Sequence, residues 1–89
     1  MTLDPQFFSQ IQDLLETVTV NSRQEIVPEA SLEEDLGLNL EEDLVRLVAL
    51  INRHFEIELD IEIVMQELSA AGATVAELAK LIYDEYELG

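Results

Sequence analysis

Ser31-Leu-Glu-Glu-Asp-Leu-Gly-Leu-Asn-Leu-Glu-Glu-Asp-Leu-Val-Arg-Leu-Val-Ala-Leu-Ile-Asn-Arg-His-Phe55 is the stretch on which the fold turns. Leu40, Leu44, Leu47, Val48, Ile51 and Phe55 recur at helical spacing and so line one face. The spacing predicts a helix over 40–54. Asn39 stands where an N-cap belongs, its side chain able to accept from a first-turn backbone N–H. Glu41, Glu42 and Asp43 fill that first turn, where the positive end of the helix dipole favours anions. Upstream, Asp35-Leu36-Gly37 closes a loop, with Gly37 free to take a positive φ. Ser31-Leu-Glu-Glu34 reads as a capping box and predicts one helical turn before Gly37.

An acidic loop ending in Asp-Leu-Gly, followed by an amphipathic helix with an acidic first turn, resembles the acyl carrier protein family. The resemblance implies an all-α, four-helix bundle with three main helices and a short third one. It implies a carrier of fatty-acid, polyketide or nonribosomal-peptide biosynthesis, holding acyl or peptidyl chains as thioesters on a phosphopantetheine arm. In the family the loop continues as Gly-x-Asp-Ser-Leu, and the serine at the start of the second helix carries the arm. This chain departs there: Gly37 is followed by Leu38-Asn39-Leu40-Glu41. Counting forward from Asp35-Leu36-Gly37 puts Leu40 at the serine position. Counting back from Phe55, which resembles the phenylalanine closing the family's second helix, puts Glu41 there. If Leu40 is the family's leucine, Asn39 takes the place. None of the three has a nucleophilic hydroxyl.

The rest of the chain fits the same bundle. Asp4-Pro5 opens a first helix predicted over 5–18, with Asp4 as N-cap and proline at the first position, where a missing N–H costs nothing. Phe7, Phe8, Ile11, Leu14, Leu15 and Val18 form its apolar face. Residues 19–31 lack periodicity and read as a long connection that Ile26 and Val27 pin to the core. Phe55-Glu-Ile57-Glu-Leu59-Asp-Ile61-Glu-Ile63 alternates as a half-buried strand would. A strand needs a partner, and the chain offers none of adequate length. Residues 56–60 are therefore expected to be an extended connection with Ile57 and Leu59 turned inward. Asp60 then caps a third helix over 61–68, with Ile61, Val64, Met65 and Leu68 inward. Ser69-Ala-Ala-Gly72-Ala reads as a turn. Thr74-Val-Ala-Glu77 is a second capping box, opening a last helix with Val75, Leu78, Leu81 and Ile82 on one face and Tyr86 as a further candidate.

The 89 residues suit one domain, 1–89, and 48% hydrophobic content supports a modest core rather than disorder. With no cysteine, disulfides and thiol chemistry are excluded. No apolar run reaches the ~20 residues that span a bilayer, and the first residues lack signal-peptide character, so the expected location is the cytoplasm. Twenty acids against four bases give a net charge of −16. That field disfavours nucleic acid and anionic membranes and suits a basic protein surface. A monomer is expected.

Nothing in the sequence places a nucleophile beside an acid–base pair, so no enzyme is expected. The acids around Asp35, Asn39 and Glu41 lack EF-hand spacing, and single His54 has no metal-binding companion, so no metal site is expected. Ser22 and Ser31 lie outside the Gly-x-Asp-Ser-Leu context. By the resemblance, Asn39, Leu40 and Glu41 mark the cofactor position, and Glu41, Glu42, Asp43, Arg46 and Arg53 the surface read by partner enzymes. Two functions are then open. One is a carrier with a variant attachment site. The other is an unmodified acidic module (scaffold, decoy or regulator) docking a basic partner through the second helix.

Overall fold

The computed structural model describes residues 4–88, which form four helices: α1 (Pro5–Val18), α2 (Asp43–Phe55), α3 (Ile61–Ala71) and α4 (Val75–Leu88). The fold is an all-α four-helix bundle. Its only β feature among the described residues is an isolated antiparallel bridge between Ser31 and Thr74. None of these helices is long and apolar enough to cross a membrane.

α1 begins and ends where its sequence dictates. Asp4 is extended, and its carboxylate accepts from the Gln6 N–H at 2.9 Å, satisfying one of the orphan donors of the first turn. Phe7, Ile11, Leu14 and Leu15 are buried, while Phe8 and Val18 pack on the edge of the core. At the far end Thr19 turns extended, and both its N–H and its hydroxyl donate to the Leu15 carbonyl at 2.8 Å. That carbonyl would otherwise be left open.

Between α1 and α2 the chain runs from 19 to 42 without a regular helix, yet it supplies much of the core. Ile26, Ala30, Leu32, Leu36 and Leu38 are all buried. Ile26 pins the segment as expected; Val27 does not, and its side chain faces solvent. The backbone of a buried connection must find partners, and here neighbouring elements provide them. Leu32 N–H donates to Ala73 O at 2.7 Å, Val75 N–H to Ala30 O and Ala76 N–H to Pro28 O at 3.0 Å. Gln12 and Asn21 donate side-chain N–H groups to Ile26 O at 2.9 Å and Leu36 O at 2.7 Å. Arg23 bonds Ser9 Oγ and Gln12 Oε1 and forms ion pairs with Asp13 and Glu16, strapping the connection to α1.

The single turn before Gly37 forms. Ser31 Oγ accepts from Glu34 N–H at 3.1 Å, but Asp35, not Glu34, returns the bond to the Ser31 N–H at 2.7 Å. Gly37 then takes φ +71°, a conformation that costs other residues energy.

Three boundaries differ from expectation. α2 starts at Asp43 and ends at Phe55, not 40–54, because Leu40, Glu41 and Glu42 occupy a separate capped turn. α3 runs on to Ala71, so Ser69-Ala-Ala is helix rather than turn, and the turn falls at Gly72 with φ +100°. Alanine is the best helix former, and Gly72 is the first residue that suits a positive φ. Tyr86, a candidate for the core face of α4, is 51% exposed. Val75, Leu78 and Ile82 are buried as expected, along with Ala79, and Leu81 is partly buried against the core.

The alternating segment is the extended connection the reading required. Asn52 of α2 holds it: Leu59 N–H donates to Asn52 Oδ1 at 2.8 Å, Asn52 Nδ2 to Leu59 O at 3.3 Å, and Ile57 N–H to the Asn52 carbonyl at 3.1 Å. A single side-chain amide thus replaces the neighbouring strand. Ile57 is buried and Leu59 half-buried. Asp60 caps α3 through the Glu62 N–H at 2.8 Å, and Thr74 caps α4 through the Glu77 N–H at 3.2 Å. α1 packs on α2, α2 on α3 and α3 on α4. Phe7 meets the Tyr83 ring edge-on, with centroids 5.4 Å apart, and joins α1 to α4.

Candidate functional site

The turn that leads into α2 is built around Asn39. Its Oδ1 accepts from the N–H groups of Glu41 at 2.9 Å and Glu42 at 3.2 Å. Asp43 closes the motif from the other side. Its carboxylate accepts from the Asn39 N–H at 3.1 Å, and its own N–H donates to the Asn39 carbonyl at 2.7 Å. Asn39 therefore caps as expected, but it caps this turn, and the regular helix follows from Asp43. Leu38 is buried and Leu40 packs partly against the core, while Asn39, Glu41 and Glu42 are exposed.

Each of the three positions matched to the family's serine is thus accounted for. Asn39 spends its side-chain oxygen on the cap, Leu40 leans on the core, and Glu41 points a carboxylate at solvent. An amide, an alkyl chain and a carboxylate offer no hydroxyl for a phosphodiester. The nearby serines are engaged locally. Ser31 Oγ accepts from Glu34 N–H, and Ser22 Oγ donates to Glu25 Oε1 at 3.2 Å.

The outward face of α2 carries both charge signs. Glu42, Val45, Arg46, Ala49 and Arg53 are exposed and fall at three- and four-residue steps, so they form one stripe, with Glu41 beside Val45. Acids lie at its start and Arg53 and His54 in its last turn, the order that complements the helix dipole. Asp43, expected among the exposed acids, is half-buried and bound to the Asn39 N–H. Glu42 and Arg46, four residues apart, do not pair: among the described residues the ion pairs are those of Arg23. Arg46 and Arg53 remain turned to solvent. His54 Nε2 meets Gln10 Oε1 at 2.8 Å and ties the end of α2 to α1.

The apolar faces of α2 and α3 are packed core. Leu44, Leu47, Ile51, Val64 and Leu68 are almost wholly excluded from solvent. Met65 lines an open groove on the outer side of α3 with Glu62, Gln66, Ser69 and Ala70. Among the described residues no group of three or more His, Asp or Glu side chains could hold a metal ion.

Two features escaped the sequence reading. Val45 is 56% exposed at the centre of the α2 stripe, although its three- and four-residue steps from Glu41, Glu42 and Ala49 already put it on the outer face. The second is an aromatic cluster at the other end of α2, where Phe7, Phe55, Tyr83 and Tyr86 meet with centroids 5.1–5.8 Å apart. Its members come from three helices, and no local spacing brings them together. No protein-family model matches the chain, and no curated protein matches it.

Proposed function

We propose that this protein is a carrier-protein-like interaction module that works without a phosphopantetheine arm and docks a partner through the outer face of α2. One observation carries the reading: the capped turn at the start of α2 holds Asn39, Leu40 and Glu41 where the family resemblance requires a serine. The docking surface is the stripe that follows. Glu41 and Glu42 meet a basic patch, Val45 supplies apolar contact at the centre, and Arg46 and Arg53 select a partner whose charge reverses along the interface. Opposed charges of this kind set register and discriminate between partners more than they add affinity. The net charge of −16 draws a basic partner in from a distance.

Incubation with coenzyme A and a broad-specificity phosphopantetheinyl transferase is expected to leave the intact mass unchanged while a control carrier in the same tube is modified. A gain of one arm, mapped to any residue, overturns the unmodified reading and restores a carrier of acyl groups. The docking surface is tested separately. Glu41→Lys with Glu42→Lys is expected to weaken binding of a basic partner about tenfold at low salt and to flatten its salt dependence. Equal affinity of the two proteins across a salt series would remove α2 as the surface.

A further inference from the structure

At the end of the bundle opposite the Asn39 turn, Asp4, Gln6, Phe7, Gln10, Tyr83, Tyr86 and Glu87 line a cleft of about 450 Å³ between the start of α1 and the last turns of α4. Two of its residues, Phe7 and Tyr86, meet Phe55, the last residue of α2, a helix about 20 Å long that starts at that turn. We propose that this cleft is a second docking point, which takes the guanidinium of an arginine side chain from a basic protein partner.

Three features favour a planar organic cation there. The first is the lining. Phe7 is the buried floor, Tyr83 stands edge-on to it, and Tyr86 tilts at 46° with 51% of its surface exposed. Exposed aromatic faces attract cations through the ring quadrupole, and a guanidinium also stacks on them. The second is the carboxylates. Glu87 accepts from the Tyr83 hydroxyl at 2.9 Å, and Asp4 stands across the cleft with one oxygen committed to the Gln6 N–H. Each has capacity left for a fork-shaped donor.

The third is the end of α4 itself. Asp84, Glu85 and Glu87 crowd the carbonyl end of the helix, and its last turn has no base. Acids there oppose the helix dipole and each other. α2 resolves the same problem with Arg53 and His54, whereas among the described residues the last turn of α4 holds no base that would do so. The negative field is felt within the cleft. Hydrogen bonding to Glu87, its charge, burial and the charge of Asp4 together hold the Tyr83 phenol above its ordinary pKa.

Tyr83 and Tyr86 are the only tyrosines and the chain has no tryptophan, so aromatic NMR signals report this site with little overlap. The probe is N-acetyl-arginine methylamide, with the neutral citrulline analogue as control. Saturable shifts of the Tyr86 and Phe7 rings are expected with arginine and not with citrulline. Tyr86→Leu and Glu87→Gln are each expected to weaken binding about two- to fivefold. Both positions are exposed, and unchanged circular dichroism and Tm show that the fold survives. Shifts confined to the α2 acids, equal response to citrulline, or full affinity in Tyr86→Leu would each overturn the site. None of these results bears on whether α2 docks a partner or bears an arm.

Discussion

Phe7→Ala is expected to cost about 3–5 kcal/mol, the range for truncating a buried aromatic. Phe7 touches α2 through Phe55 at 5.1 Å and α4 through Tyr83 at 5.4 Å and Tyr86 at 5.8 Å. Removing the ring therefore opens a void shared by three helices, which no single side chain can refill. For a domain of this size the loss corresponds to a fall of at least about 12 °C in Tm, read by thermal or urea unfolding. Phe8 lies only partly buried at the core's edge. Phe8→Ala is expected to cost clearly less. Equal losses at the two positions would mean that the three-helix junction is not what Phe7 stabilises.

Leu32→Ala is expected to cost about 2–5 kcal/mol, as much as a truncation inside a helix. Leu32 is fully buried although it belongs to the connection between α1 and α2. Its N–H bonds Ala73 O at 2.7 Å, and its carbonyl accepts from Leu38 N–H at 2.7 Å. The side chain thus anchors a segment whose backbone is pinned to the turn before α4. Val20, in the same connection, is fully exposed, and Val20→Ala is expected to fall within about 0.5 kcal/mol of neutral. If the two substitutions were indistinguishable by urea unfolding, the connection would be a surface loop and not a part of the core.

Both expectations concern contacts that local pattern could not reveal. The caps were legible because they are local: Asp4, Ser31, Asn39, Asp60 and Thr74 each accept a backbone N–H two or three residues on, and their side chains reach no further. The helical faces were legible for the same reason, since a period of 3.6 residues is a property of one segment. Boundaries slipped where two local solutions compete. Leu40-Glu41-Glu42 suits either a first helical turn or a separate capped turn, and the reciprocal bonds between Asn39 and Asp43 select the latter. Of the α2 surface that the resemblance implied, Glu41, Glu42, Arg46 and Arg53 are exposed, whereas Asp43 is drawn inward by its bond to Asn39 and Val45 was passed over.

An all-α four-helix bundle was what the family resemblance implied; by itself, the sequence determined the positions of the helices to within a few residues, the burial of their apolar faces, and the lack of a hydroxyl at the start of α2. These follow from short-range geometry and from which atoms a side chain carries. Only the tertiary structure decided that 56–60 pairs with Asn52 instead of a strand, that residues 26–38 complete the core, and that Phe7, Tyr83 and Tyr86 frame an acidic cleft. Each of these depends on groups distant in the chain, or on which of several backbone partners a segment finds. Such contacts form only when packing of the whole core offsets the entropy of bringing the segments together.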